Sequence, residues 1–284
     1  MTMPEIKGTT KITGIFGDPV TYSLSPRMHN YAFEKLGLDF VYVPFLVKPG
    51  ELEEAADAVR ALNIAGVNVT LPYKEAILPF LDQLTPQAKM IGAVNTVINR
   101  KGKLIGDNTD AEGFLTALRT DGKFDPKGKN AILWGAGGVA RAIAVSLLEA
   151  GAKKLVIVNR TFKRAKDLVR HLKKVCGGNA AALEARSENL LQELLDCEIF
   201  LNATPVGVER GVFPFPAERF ITADKFVFDA VYSKQTPLLI SAEKAEAKCL
   251  GGLSMLIHQG ALSFSRWTGE APPVRFMREA LEGT

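Results

Sequence analysis

Residues 131–151 read "AILWGAGGVARAIAVSLLEAG", which is an apolar strand, a glycine-rich turn and a helix in succession. Gly135, Gly137 and Gly138 form a variant of the pattern G-x-G-x-x-G, with Ala140 in the place of the last glycine. In such a turn the bare backbone lets a pyrophosphate rest on the N-terminus of the helix. The strand, the helix and a further strand, "KLVIVN", favour a dinucleotide-binding unit. A glycine-rich turn used only for packing is the alternative.

The residues after that further strand indicate which dinucleotide would bind. A site that prefers NAD carries an acidic residue here to accept from the ribose 2′-hydroxyl. This chain instead has Asn159, Arg160 and Thr161, followed by Arg164. Guanidinium groups bind phosphate well, and cations at a helix N-terminus oppose the helix dipole unless an anion lies between them. The pattern predicts NADP; the alternative is that both arginines merely solvate the helix start.

Strand-like and helix-like segments alternate along the chain, a pattern typical of an α/β protein with mostly parallel sheets. A length of 284 residues allows about two domains. The polar stretch "DGKFDPKGKN" (121–130) separates a first region from the dinucleotide-binding unit, and two helices follow from about residue 252. Within the first region, "KEAILPFL" (74–81) is predicted to form a short helix, and residues 93–110 a hairpin or strand pair.

Composition excludes several classes of protein. The 35 basic and 31 acidic residues give a net charge of +4, and the densest basic stretch (162–174) carries an apolar helical stripe, so no nucleic-acid partner is expected. The three cysteines are far apart and the three histidines lack ligand spacing, which predicts a reducing compartment and no metal site. The sequence shows neither a signal-peptide core nor an apolar run of about 20 residues. A cytoplasmic protein without a membrane partner is expected.

The stretch "NVTLPYK" (68–74) combines a strand with polar groups. Alternation places Asn68 and Thr70 on one face and Leu71 with two valines on the other. Pro72 lacks a backbone donor and ends the strand, and Lys74 follows almost at once. Either this is an edge strand with a wet face, or it lines a pocket that holds a hydroxylated molecule against a lysine.

Two further segments allow both a capping and a binding interpretation. In "TYSLSPRMH" the proline suits the first helical position, so Ser25 is a natural N-cap, while Ser23 has no such explanation. Two hydroxyls at a helix N-terminus would suit a carboxylate ligand. In "GDNTDAEGF", Thr109 and Glu112 have capping-box spacing. Alternatively Asp110 is the carboxylate that partners a lysine in proton transfer.

Other polar residues stand at positions that leave their role open. Asn95 in "GAVNT" is either a turn residue or an amide that binds hydroxyls. Gln259 in an apolar helix and Tyr232 at a strand end could each face solvent or a ligand. His258 is assigned to packing on its helix rather than to catalysis.

Taken together, these segments resemble the shikimate dehydrogenase family along nearly the whole chain. The matching segments, in order, are "SLSP", "NVTLPYK", "GAVNT", "GDNTD", "GAGGVAR", "NRT" with Arg164, "NAT", "DAVYSKQTPLL" and "GGLSMLIHQGA". The resemblance implies reversible reduction of 3-dehydroshikimate to shikimate with NADPH, in the pathway to aromatic amino acids. It also implies a substrate domain formed by residues 1–111 and 252–284, and a Rossmann-like NADP-binding domain formed by residues 112–251.

The resemblance further implies roles for individual residues. Lys74 and Asp110 would be the catalytic pair, and Ser23 and Ser25 would hold the substrate carboxylate with Tyr232 nearby. The residues implied to bind ring hydroxyls or line their pocket are Asn68, Thr70, Asn95 and Gln259. The residues implied to bind the cofactor are Gly135, Ala136, Gly137, Gly138, Val139, Asn159, Arg160, Thr161, Arg164, Thr204 and Gly252.

Two rival functions remain open from the sequence. The first is a quinate or mixed quinate/shikimate dehydrogenase, whose pocket would accept one more hydroxyl on the carboxylate-bearing carbon. The second is a non-catalytic NADP-sensing protein, which could tolerate loss of the lysine or the aspartate, although both are present. In each case the expected partner is a small molecule, and the chain is expected to be a monomer or a homodimer.

Overall fold

The computed structural model describes residues 5–206, 217–232 and 235–282. Strands and helices alternate and build two six-stranded sheets rich in parallel pairs, so the predicted α/β class is confirmed. The chain divides into two compact units, the first being Met1–Thr109 with Ile257–Thr284 and the second Asp110–Leu256. The domain assignments made from the sequence, which attach a ligand to each unit, stay predictions.

The elements follow one another with short connections. The first segment contains β1 (Lys11–Gly17), α1 (Ser25–Leu36), β2 (Phe40–Leu46), α2 (Leu52–Ala61), β3 (Gly66–Val69), β4 (Gln83–Leu84), α3 (Pro86–Ile91), β5 (Thr96–Arg100) and β6 (Lys103–Asp107). The second unit contains α4 (Asp110–Thr120), β7 (Asn130–Trp134), α5 (Gly138–Glu149), β8 (Lys154–Val158), α6 (Phe162–Val175), β9 (Ala180–Leu183), α7 (Asn189–Asp196), β10 (Ile199–Asn202), β11 (Phe226–Asp229), α8 (Pro237–Lys244) and β12 (Lys248–Gly251). The helices α9 (Gly252–Thr268) and α10 (Val274–Glu282) follow.

The sheet of the first unit has the strand order β2-β1-β3-β5-β6-β4. β1 pairs in parallel with both β2 and β3, whereas β5 is antiparallel to β3 and to β6. The predicted strand pair is therefore a hairpin, turned by Lys101 and Gly102 with φ of 55° and 86°. In this order β3 lies inside the sheet, between β1 and β5, and all four of its residues are buried.

The stretch around β3 departs from the prediction at its end. Val67 and Val69 are buried in the core as expected, but the strand stops at Val69 and the side chain of Leu71 is 57% exposed. The prediction that Leu71 continues the apolar face is wrong, because the chain has left the sheet before that position. The helix predicted over 74–81 is also wrong: only the 3₁₀ turn Leu78–Phe80 forms. Pro79 cannot donate the hydrogen bond that a longer helix would need there.

A buried histidine lies in an aromatic cluster between α1, β2 and α9. The ring of His29 is completely buried and stacks on Tyr42 with a centroid distance of 4.4 Å and an interplanar angle of 3°. Phe264 and Trp267 lie at 6.2 Å and 5.4 Å. Within the described residues neither ring nitrogen has a hydrogen-bond partner. Burial lowers the pKa of His29 from 6.5 to about 3, so the imidazole is neutral at ordinary pH.

The sheet of the second unit is entirely parallel, with the strand order β12-β11-β10-β7-β8-β9. This is the doubly wound, Rossmann-type order, in which the strand succession reverses between β7 and β10. In such sheets ligands bind beyond the carboxyl ends of the strands at the reversal. The glycine turn after β7 and the segment after β10 stand at those ends.

Among the described residues, no helix combines the length and apolar character that crossing a lipid bilayer requires.

Replacing His29 with leucine should flatten the acid side of the stability profile. His29 is protonated near pH 6.5 in the unfolded chain and near pH 3 in the folded chain. The stabilisation of the folded state by the neutral ring is therefore complete above pH 6.5 and is lost as pH falls toward 3. Below pH 6.5 that loss is about 1.4 kcal/mol per pH unit. The unfolding free energy of wild type and of His29→Leu is to be measured by urea titration from pH 7 to 4. Below pH 6.5 the wild type should lose stability relative to the variant by that amount per pH unit. A parallel pH dependence in both proteins would contradict it; His29→Phe should give the same slope as His29→Leu.

Candidate functional site

The first unit contains a cluster of buried polar side chains, here called the polar cluster. Its members come from β2, β3, β5, the segments flanking the hairpin, and α9; they are Tyr42, Asn68, Asn95, Thr96, Thr109, Gln259 and Ser263. All are at most 9% exposed. Most buried polar groups in proteins have a hydrogen-bond partner. Three of the amides predicted from the sequence, Asn68, Asn95 and Gln259, are brought together here.

The carboxamide of Asn68 is held in one orientation. Its Nδ2 donates to the backbone carbonyl of Asn95 at 3.0 Å and to Ser263 Oγ at 3.0 Å. A carbonyl can only accept, so the nitrogen of Asn68 must face it. The Oδ1 atom is thereby turned to Tyr42, whose hydroxyl donates to it at 2.8 Å. Asn68 therefore uses its donors inside the cluster and keeps acceptor capacity on its oxygen.

The carboxamide of Asn95 is fixed by the opposite kind of backbone group. The backbone N–H of Thr109 donates to Asn95 Oδ1 at 2.8 Å, and an N–H can only donate. Asn95 Nδ2 then donates to Thr109 Oγ1 at 2.9 Å and to Gln259 Oε1 at 3.1 Å. The orientation of Gln259 follows, with its oxygen toward Asn95. The backbone thus determines the polarity of all three amides.

Ser263 lies at the centre of the polar cluster and was not predicted from the sequence. Its Oγ lies 2.7 Å from Thr96 Oγ1, 3.1 Å from Thr109 Oγ1 and 3.0 Å from Asn68 Nδ2. It also donates to the carbonyl of Gln259 one turn earlier in α9. The available signal was a serine one helical turn from a glutamine on an otherwise apolar helix face.

Ser23 and Ser25, at the start of α1, do not form the cap that one interpretation of the sequence predicts. The helix begins at Ser25 itself, and no side chain caps its N-terminus. Instead Ser23 Oγ accepts from the backbone N–H of Ser25 at 3.3 Å. The prediction that Ser25 is the N-cap is therefore wrong, because Ser25 is already the first residue of the helix. The hydroxyl of Thr109, offered as a capping-box residue, belongs to the polar cluster.

The remaining predicted residues are placed as follows. Thr70 directly follows β3 and is half-buried. Lys74 lies in the turn beyond it with 9% exposure, and Asp110 is the first residue of α4 with 3% exposure. Tyr232 is three residues past β11 and 38% exposed. Residues 233 and 234 of the "DAVYSKQTPLL" segment lie outside the described residues.

The glycine turn of the second unit has the geometry expected for close approach of a ligand. Gly135 has φ of +126°, and an added Cβ would lie 2.9 Å from the carbonyl oxygen of Ala203 and 3.1 Å from Thr204 Cγ2. Only glycine fits there. Gly137 precedes α5 in an extended conformation, and an added Cβ would meet nothing within 4 Å. The turn is thus tight on its strand side and has free space at Gly137, directly before the helix N-terminus, an environment that suits an anion. Ala136, Gly138 and Val139 complete it.

The start of α6 is basic. Its first turn contains no acidic residue, and the side chains of Arg160 and Arg164 are exposed. Asn159 Nδ2 donates to the carbonyl of Thr161 at 2.9 Å, which orders the segment before the helix. Lys163 pairs with Asp167 at 3.1 Å. The two arginines and the helix N-terminus therefore present positive charge after β8, suited to a phosphate.

A second group of buried polar side chains lies at the ends of β10 and β11, and it was not predicted from the sequence. Asp229 and Asn202 end these strands, are completely buried and bond to each other at 2.9 Å. Burial raises the pKa of Asp229, while hydrogen bonds from Thr236, Val231 and Asn202 act in the opposite direction. A polar residue that closes an apolar strand, as in "FVFD", was the available signal.

Within the described residues, no group of three or more His, Cys, Asp and Glu side chains could hold a metal ion.

Comparison with known families matches three parts of the chain. Residues 15–97 match the family described as "Shikimate dehydrogenase substrate binding domain". Residues 119–205 match "Shikimate / quinate 5-dehydrogenase", and residues 252–282 match "Shikimate 5'-dehydrogenase C-terminal domain".

Curated proteins and solved structures are similar over almost the full length. The chain is 45% identical to a shikimate dehydrogenase (NADP(+)) of Methanopyrus kandleri, covering 97% of this chain and 96% of that protein. It is 43% identical to the protein of that name from Desulforamulus reducens, with the same coverage. The shikimate 5-dehydrogenase of Thermus thermophilus, solved with NADP(H) and shikimate, is 39% identical with a TM-score of 0.84, covering 96% and 99% of the two chains. A quinate dehydrogenase of Corynebacterium glutamicum, solved with NAD, is 31% identical with a TM-score of 0.88, covering 97% and 99%.

Replacing Ser263 with alanine should destabilise the protein through the polar cluster. The change removes a hydroxyl shared by Asn68, Thr96 and Thr109. Each of the three keeps a bond to Asn95, so the cost is that of the lost hydrogen bonds, about 0.5–1.5 kcal/mol each. Ser265→Ala is the matched control, because Ser265 makes the same bond to the carbonyl one turn earlier in α9 but is only part-buried. Urea unfolding should show the loss for Ser263→Ala and much less for Ser265→Ala. Equal losses would mean that the helix bond, and not the cluster, accounts for the effect.

Proposed function

The chain belongs to the shikimate dehydrogenase family, and from that premise we propose that it catalyses the reversible, NADP-dependent interconversion of 3-dehydroshikimate and shikimate. The observation that carries the proposal is the similarity of nearly the whole chain to proteins named as NADP-dependent shikimate dehydrogenases. The polar cluster and the glycine turn support it independently, since one suits a hydroxylated ligand and the other a dinucleotide. The substrate domain comprises residues 1–111 and 252–284, and the cofactor domain residues 112–251.

On the substrate side, shikimate offers a carboxylate and three ring hydroxyls. Ser23 and Ser25 hold the carboxylate near the N-terminus of α1, with Tyr232 contributing to the same end of the ligand. Asn68, Thr70, Asn95 and Gln259 bind or surround the hydroxyls. The fixed polarity of the amides supports this assignment, because a preorganised set of donors and acceptors recognises hydroxyls without reordering.

On the cofactor side, the residues of the second unit fit NADP. The open space above Gly137 suits the pyrophosphate, and the glycine at position 135 lets the turn lie close to Thr204. Arg160 and Arg164, with Asn159 and Thr161, bind the 2′-phosphate of the adenosine ribose. A carboxylate at this place would repel that phosphate, and the first turn of α6 contains none. Thr204 and Gly252 complete the set of residues that bind the cofactor.

Reduction of a ketone needs a hydride for the carbon and a proton for the oxygen. The cofactor, when bound, supplies the hydride from C4 of its nicotinamide. Lys74 donates the proton to the ketone oxygen and Asp110 acts with it as the acid/base pair. Because Lys74 is nearly buried, its positive charge also stabilises negative charge that develops on that oxygen. In the reverse direction the pair withdraws the hydroxyl proton.

Quinate is the rival substrate, favoured by the similarity to a quinate dehydrogenase solved with NAD. The arginines after β8 favour NADP and with it shikimate. The other partners expected from the sequence are unchanged: no nucleic acid, no membrane, and a monomer or homodimer. Three free cysteines in the described chain support a reducing compartment, and we place the protein in the cytoplasm.

The wild-type protein should oxidise shikimate with NADP⁺ at a higher kcat/KM than it shows with quinate or with NAD⁺. Steady-state formation of reduced cofactor, measured at 340 nm for both acids with both cofactors, compares the four combinations directly. A preference for quinate would assign the rival reaction. No turnover with either acid, together with tight NADPH binding, would indicate a non-catalytic NADP-sensing protein.

Lys74→Ala should lose mainly kcat and keep its affinity for NADP. Loss of a positioned acid/base typically lowers the rate by about 10²–10⁴-fold. Lys89→Ala serves as the matched control, because that lysine is exposed on α3. Steady-state kinetics should separate the two variants by the full factor in kcat, and NADPH fluorescence titration should give equal dissociation constants. An unchanged kcat in Lys74→Ala would remove this residue from the mechanism.

A further inference from the structure

We propose that Asp229 is a positioning residue for the cofactor, a buried carboxylate that holds the two segments carrying Thr204 and Gly252. The proposal rests on the function proposed above, which assigns those two residues to NADP. Asp229 has no exposed surface and ends β11. Its contribution would therefore be made through neighbouring residues.

The first segment is reached through Asn202. A carboxylate only accepts hydrogen bonds, so Asn202 must turn its Nδ2 to Asp229 Oδ1, at 2.9 Å. The oxygen of Asn202 then faces Thr204 and accepts from its backbone N–H at 3.1 Å and from its hydroxyl at 2.7 Å. Thr204 in turn lies against Gly135 of the glycine turn. The carboxylate thereby fixes both the position of Thr204 and the direction of its hydroxyl proton.

The second segment is the turn directly after β11. The backbone N–H of Val231 donates to Asp229 Oδ1 at 3.1 Å, which folds the turn back on the strand end. The carbonyl of Val231 accepts from the N–H of Gly252 at 3.1 Å. An added Cβ on Gly252 would lie 2.2 Å from the carbonyl oxygen of Ala230. Gly252 therefore packs directly on the turn that Asp229 orders.

The other carboxylate oxygen is held from α8. Thr236 donates from its hydroxyl to Asp229 Oδ2 at 2.6 Å and accepts from the N–H of Leu239 as the N-cap of that helix. A buried charge is weak support for a stabilising role, because well-packed apolar residues usually stabilise a core at least as well. The donors to this carboxylate are Asn202 at the end of β10, Val231 after β11 and Thr236 before α8. The buried charge is better explained by the positions that it imposes on these three segments.

The test compares Asp229→Ala and Asp229→Asn with the control Asp224→Ala, an exposed aspartate just before β11. In Asp229→Ala we expect the NADPH dissociation constant from fluorescence titration to rise about tenfold, as does the KM for NADP⁺, which corresponds to about 1.4 kcal/mol. The KM for shikimate should rise by no more than about threefold, since Tyr232 is the one proposed substrate residue that directly follows the turn ordered by Asp229. Asp224→Ala should match wild type throughout.

The conservative variant provides the rescue. Asp229→Asn keeps an oxygen for Asn202 and Val231, and Thr236 can accept from the new amide, so its NADPH affinity should return to within about threefold of wild type. Should Asp229→Ala fail to fold, Asn202→Ser tests the link to Thr204 alone, with a rise of about threefold expected. An unchanged NADPH affinity in the folded variant, or equal rises in both KM values, would overturn the proposal. Titration with NADPH needs no turnover, so a wild type that binds NADPH but leaves shikimate unchanged refutes only the reaction.

Discussion

A backbone carbonyl can only accept a hydrogen bond and a backbone N–H can only donate one, and this constraint organises the polar interior of both units. In the first unit the carbonyl of Asn95 fixes Asn68, and the N–H of Thr109 fixes Asn95. In the second unit a carboxylate, which is also acceptor-only, fixes Asn202. Side-chain amides could otherwise rotate by half a turn at little cost. Here the main chain has already selected one orientation.

The side chains to which this constraint applies include three at the ends of strands. Hydrogen-bonded ladders specify the position of each backbone group within a sheet, and the first residues after the ladder inherit that placement. Asn68, Asn202 and Asp229 all stand in the last two positions of their strands. Asn202 accepts from the backbone N–H of Thr204, and Asp229 accepts from that of Val231, so each contacts the loop that follows its strand. Loops that carry function on a rigid scaffold are a general feature of α/β proteins.

The local structure was predicted correctly from the sequence where it depends on interactions between residues close in the chain. The glycine turn, the strand before it and the helix after it are separated by a few residues, and the backbone geometry at Gly135 follows from that arrangement. Local reasoning was insufficient for the segment 74–81, where an apolar pattern suggested a helix and a proline prevented it. It also placed Ser25 one residue outside a helix that in fact includes it. Helix ends depend on contacts that propensity does not contain.

Residues that act through distant partners could not be found in this way. Ser263 meets Asn68 across 195 positions of the chain, and Asn202 meets Asp229 across 27. Ser265 lies two residues later and makes the same helix bond, and in the sequence only the one-turn spacing from Gln259 distinguishes Ser263 from it. The difference arises only when α9 is packed against β3 and β5. The resemblance to a family implied roles for the amides, but the hydrogen bonds that join them depend on residues distant in the chain and follow only from the folded structure.

The locked carboxamide of Asn68 has a consequence for inhibitor chemistry. Among the described residues its hydrogens are already engaged, so a compound that reaches this side chain meets an oxygen lone pair. Ethers, fluorides or ketones at that place would oppose it with lone pairs of their own, and an unmatched buried acceptor costs about 1–3 kcal/mol. Scaffolds that keep an N–H or O–H there would avoid this penalty. The side chain would then discriminate between compounds by rejecting those that place an acceptor opposite its oxygen, and not by adding contact area.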